Sequence, residues 1–179
     1  MRTQMKLARG LVTLALGTFA AAAAAEAPPG PLEPLAWLAG SCWSGTFADG
    51  KTKDLVCYEW AFDGMFLRSR HRVTGGPEPY SGETLFSFEK ATGTIRFDYY
   101  NSLGDVMRSS AVSTADGVSF PVENASYAGA PIELRSAWTR RGADGYSAIT
   151  ERRYGEEWRA ILVIEFVRSG PASDWRAEE

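Results

Sequence analysis

The sequence has one histidine, two cysteines and few basic residues, and no segment keeps up a 3.6-residue apolar period. A lone histidine, His71, excludes a multi-histidine zinc site, and no serine elbow motif accompanies it. Without helical periodicity there is no case for a bundle. Lysine and arginine number 19 against 22 acidic residues, for a net charge of −3. A nucleic-acid footprint needs clustered cations, so nucleic acid is excluded as a partner, and so is an electrostatic grip on anionic lipid.

The first 25 residues read as an export leader. Arg2, Lys6 and Arg9 form a positive start, Leu11 to Phe19 an apolar stretch, and Ala23-Ala-Ala25 a small-residue cleavage site, with the cut expected after Ala25. The alternative, a membrane anchor, needs about 20 apolar residues and this run is shorter; no later segment is long enough to span a bilayer. Without the leader's three cations, 16 basic residues face 22 acidic ones and the net charge is −6. The expected compartment is periplasmic or extracellular.

What the sequence has in quantity is aromatics and turns. Six tryptophans, seven tyrosines and nine phenylalanines are spread over runs that recur every 8 to 14 residues between Gly-, Asp- and Pro-containing breaks. After a proline-rich lead-in over 26–39, which holds one helical turn at Leu35–Ala39, ten strands are expected. They run near 41–48, 55–62, 65–74, 80–89, 94–101, 105–113, 118–123, 132–140, 146–154 and 158–168, with a looser connection over 124–130 and a loose tail over 169–179. Asn124-Ala-Ser126 matches a glycosylation triplet but reads as plain loop.

Tight turns link antiparallel neighbours, and a ten-strand meander closes most economically as an up-and-down β-barrel over 40–168, with a two-sheet sandwich as the alternative. Alternation agrees: Ile95, Phe97 and Tyr99 share one face while Arg96, Asp98 and Tyr100 share the other. The last strand is apolar on both faces, so the Trp37-Leu38 segment is expected to cover its outside.

Asp49-Gly50 and Asp63-Gly64 each sit between strand-like runs, a hairpin signature. A two-residue turn at Asp49-Gly50 makes facing residues sum to 99, which sets Cys42 opposite Cys57. In an exported protein this pair suggests a disulfide, the alternative being two reduced core cysteines. That turn places the pair at a hydrogen-bonded site, where side chains are less close, and a bulge near Gly45 would relieve it.

The pattern Leu38-Ala-Gly40 … Trp43 … Gly45 resembles the opening of calycin-type barrels. Glu59-Trp60, Asp63-Gly-Met-Phe66, Tyr80-Ser-Gly-Glu-Thr-Leu-Phe86 and Tyr99-Tyr-Asn-Ser-Leu-Gly104 are similar to a bacterial family of exported calycin-like domains of unassigned function. The resemblance covers most of 35–167 and rests on turns and packing aromatics. It implies a lipocalin-like barrel able to hold a small apolar molecule. Lipocalins carry Gly-x-Trp where this chain has Gly40-Ser-Cys-Trp43, one residue longer. Nitrobindin-like haem barrels take their ligand from a late strand, whereas His71 is on the third, so a haem site does not carry over and no cofactor or metal is assigned.

Four residues are candidates for contacting a ligand: His71, Tyr99, Arg152 and Tyr154. His71 shares strand parity with Met65, Leu67 and Val73, and reads either as a packed histidine or as a polar contact inside the barrel. Arg68, Arg70 and Arg72 stand on the opposite face, as a solvated exterior or, with parity inverted, an anion-binding ladder. Arg152-x-Tyr154 is similar to the carboxylate clamp of intracellular fatty-acid-binding proteins, which are also calycins. No pair among Glu59, Glu83, Asp98, Glu123 and Glu151 has the spacing of an acid–base dyad. Three functions stay open: a carrier with an aromatic-lined cavity, a solidly packed structural barrel, and an enzyme on a hydrophobic substrate with His71 as base.

Overall fold

The structure, a computed structural model, describes residues 30–127 and 130–178; the leader expected over 1–25 lies outside them. Ten antiparallel strands close into one up-and-down barrel: β1 (Ser41–Thr46), β2 (Lys53–Ala61), β3 (Phe66–Thr74), β4 (Tyr80–Glu89), β5 (Thr94–Asn101), β6 (Val106–Thr114), β7 (Gly117–Tyr127), β8 (Ala130–Arg140), β9 (Gly145–Tyr154) and β10 (Glu157–Pro171). Each strand pairs with its neighbours in sequence, and β10 returns to β1. Closure removes the sheet edges that an open meander of this length would expose.

The two Asp-Gly turns differ. Phe62, Asp63 and Gly64 all have positive φ (50°, 55° and 82°), and Met65 N–H donates to the Phe62 carbonyl to close a tight turn between Ala61 and Phe66. At Asp49-Gly50 only the glycine has positive φ, and Phe47 N–H donates to the Thr52 carbonyl, so the loop is four residues long, 48–51. The Asp49 carboxylate closes it, accepting from the backbone of Lys51 and Thr52 and from the Thr52 hydroxyl.

A four-residue loop keeps the register summing to 99, and Cys42 does face Cys57. It also reverses the order of the ladder sites. With Phe47–Thr52 hydrogen-bonded, counting down the strands puts Cys42–Cys57 at a non-hydrogen-bonded site, where Cα atoms approach most closely. Theirs are 3.9 Å apart and the disulfide is formed. The expected bulge near Gly45 is absent from this ladder, because the changed loop leaves nothing for it to relieve.

The C-terminal segment is not loose. β10 continues to Pro171, and a short 3-10 helix, Ala172–Glu178, lays Ala172 and Trp175 over the disulfide on the outer wall, beside Leu55. Arg70 and Arg72 of β3 place their guanidinium groups over the Trp175 ring, 5.4 and 5.2 Å from its centroid. The 124–130 stretch is likewise mostly strand, since β7 runs to Tyr127 and β8 starts at Ala130.

The lead-in plugs one end of the barrel instead of covering β10. Leu35, Leu38 and Trp43 are fully buried, and Trp43 Nε1–H donates to the Leu38 carbonyl. Trp37 meets Trp43 and Tyr146 edge-on, with centroids 6.0 and 5.4 Å away. An open barrel end offers these side chains burial on all sides, whereas the outside of β10 offers one. Ile161, Val163 and Val167 on that outer face are consequently exposed.

Candidate functional site

Below the opposite end of the barrel lies a cavity of about 550 Å³. The strand pleat decides its lining. Val56 and Tyr58 of β2, Phe86 of β4, Phe97 of β5, Phe120 of β7, Trp138 of β8, Tyr146 of β9 and Ile164 and Phe166 of β10 all turn inward. The interior is therefore not solidly filled, and its volume falls within the few hundred to a thousand Å³ usual for small-molecule sites.

Polar groups gather near the mouth on four adjacent strands. His71 Nδ1–H donates to the Asp54 carboxylate across β2–β3 at 3.1 Å, since a carboxylate can only accept. The other ring nitrogen, Nε2, stands 3.0 Å from the Tyr99 hydroxyl, and Tyr99 is hydrogen-bonded in turn to the Tyr80 hydroxyl. Asp54 thus orients the imidazole, and the imidazole orients two phenols towards the cavity. Burial, reinforced by the Tyr80 hydrogen bond and by the charges of Asp54 and Asp105, pushes the Tyr99 phenol well above its ordinary range, so it keeps its proton. Both ring nitrogens of His71 are engaged, so it positions the Tyr99 hydroxyl.

The arrangement depends on Gly82, which faces His71 in the β3–β4 ladder. A methyl group there would lie 2.7 Å from His71 Nε2 and 2.5 Å from the Tyr99 ring. Only glycine leaves room for the two side chains to meet.

A fifth polar group enters from β7. Its ladder with β8 slips between Phe120, which faces Ser136, and Glu123, which faces Leu134, so Pro121 and Val122 together oppose one residue. Regular alternation from Phe120 would turn Val122 inward. The bulge turns Glu123 in instead and leaves Val122 51% exposed. The Glu123 carboxyl is half-buried; burial raises its pKa, which a hydrogen bond from Ser109 partly offsets. Beside it, β6 and β7 are laddered only through Val112–Thr114 against Gly117–Ser119, so nearer the mouth no ladder joins them.

Of the four candidate residues, His71 and Tyr99 meet at the cavity while Arg152 and Tyr154 do not line it. Arg152 lies on the rim, its guanidinium stacked 5.1 Å over the half-exposed Tyr154 ring. It borders a separate open hollow of about 370 Å³ with Pro131, Ile132, Glu133 and Arg153. β9 climbs past the cavity before reaching Arg152, which leaves the pair at the rim and outside the lining residues. Arg68 and Arg70 are on the outer face, paired with Glu59 and, for Arg68, with Glu83. Among the described residues no cluster of three metal-ligating side chains forms, and no helix is long and apolar enough to cross a membrane. No protein-family model matches the chain, and no curated protein matches it.

Proposed function

We propose that this chain is an exported calycin-like barrel that holds a small, largely apolar molecule in its interior. One observation carries the reading: an aromatic-lined cavity of about 550 Å³ with a linked set of hydrogen-bonding groups, Asp54, His71, Tyr99 and Tyr80, at its mouth. Apolar surface buried against Phe86, Phe97, Phe120 and Trp138 supplies affinity, at about 25 cal/mol per Å² removed from water before the entropy of capture is charged. Tyr80 and Tyr99, aligned by Asp54 and His71, fix the polar end. Export is supported by the leader pattern, and the Cys42–Cys57 disulfide fits an oxidising compartment.

Titration with N-phenyl-1-naphthylamine, an uncharged dye that brightens in apolar sites, tests the reading. A saturable one-to-one signal in the natural protein, lost when Ala148→Trp fills the cavity, is the expected result. No saturable signal, or one that Ala148→Trp leaves intact, contradicts it.

A further inference from the structure

Glu123 turns its carboxylate inward, and among the described residues no cation forms an ion pair with it. Its hydrogen-bond partner is the neutral Ser109 hydroxyl. The two basic side chains that border the cavity are engaged elsewhere. Arg135 pairs with Glu151 and stacks over Trp158, and His71 is held between Asp54 and Tyr99. The β7 bulge makes this placement specific, because a regular strand would have offered Val122 to the cavity and Glu123 to water. An apolar chamber whose backbone is bent to present one unpaired carboxylate has a binding site for positive charge.

We infer that the molecule held in the cavity is an apolar or aromatic amine, with its protonated nitrogen paired to Glu123 and its body against Phe97, Phe120 and Trp138. The inference rests on the carrier reading above and narrows it to one chemical class. Aromatic walls favour the same class, since ring faces attract cations. They also leave a carboxylic acid disfavoured, because Asp54 and Glu123 would both repel its charge and Arg135, the guanidinium among the lining residues, is already paired with Glu151. Glu123 on β7 and Tyr99 on β5 stand on opposite sides of one strand, β6. A ligand with an amine at one point and a hydrogen-bonding group on the far side of its ring system would engage both.

Three probes with one skeleton test this: phenylbutylamine, phenylbutanol and phenylbutyrate, titrated calorimetrically into the leader-free protein and into Glu123→Gln. The amine is expected to bind at least about tenfold tighter than the alcohol, the equivalent of one modest ion pair, with the acid weakest. In Glu123→Gln the amine falls to the affinity of the alcohol, whose own binding stays within about twofold. Alcohol binding as tight as amine binding in the natural protein overturns the inference and leaves the carrier reading standing; that comparison needs no variant to fold. An amine advantage that survives in Glu123→Gln also overturns it. Failure of all three probes and of the naphthylamine dye overturns the carrier reading itself.

Discussion

Gly82 and His71 face each other across the β3–β4 ladder, and the missing side chain of the first makes room for the hydrogen bond between the second and Tyr99. Gly82→Ala is therefore expected to push the imidazole and phenol apart. Overpacking of this kind costs about 1–3 kcal/mol. Urea denaturation should show that loss, together with weaker probe binding at the mouth. Unchanged stability and unchanged affinity would mean that Tyr99 can move aside freely.

His71 and Arg152 should separate cleanly. His71→Ala removes the group that orients Tyr99 and is expected to weaken a ligand bearing a polar end by about tenfold, about the value of one good hydrogen bond. Arg152→Ala, at the rim, should leave affinity within about twofold. Calorimetry on the two variants checks the contrast, and the reverse ranking would restore the rim clamp.

Reduction of Cys42–Cys57 is expected to destabilise the protein by about 3 kcal/mol, the chain-entropy value for a loop of this size. Denaturant midpoints with and without reductant measure it. Trp175, seated on the disulfide, should become more accessible to acrylamide at the same time. Equal midpoints would show that the strands hold this register without the bond.

Glu123 should leave a signature in pH. Burial raises its carboxyl above the ordinary 4.5, so the folded state holds the proton more tightly than the unfolded chain does. Its contribution then favours folding at acid pH and is lost as pH rises from about 4.5 through the folded value. Glu123→Gln should accordingly gain thermal stability relative to the natural protein above that window and lose the gain below it. A pH-independent difference would place Glu123 in solvent.

Much of this was legible in the chain. Asp63-Gly64 and the run from Asp49-Gly50 set the first three strands in register, and alternation sent His71 and Tyr99 to one face and the β3 arginines to the other. The same turn arithmetic, summing to 127 across Asp63-Gly64, sets Val56 opposite His71 and so places Asp54 diagonally beside it on the same face. Tyr80 and Gly82 were harder, because the 75–79 connection has no fixed turn geometry from which to count. Glu123 was hidden altogether: Pro121-Val122 looks like ordinary strand, and only the bulge reverses which side chain faces in. The rim position of Arg152 and Tyr154 depends on how far β9 outruns the cavity, which strand parity does not report.

Native mass spectrometry of the gently purified, leader-free protein, before and after organic denaturation, tests the central claim most directly. The account predicts a stoichiometric excess mass that disappears on denaturation, released as a small apolar molecule carrying a basic nitrogen. A bare chain at the disulfide-bonded mass, which also fails to take up phenylbutylamine or the naphthylamine dye when these are added, would contradict it.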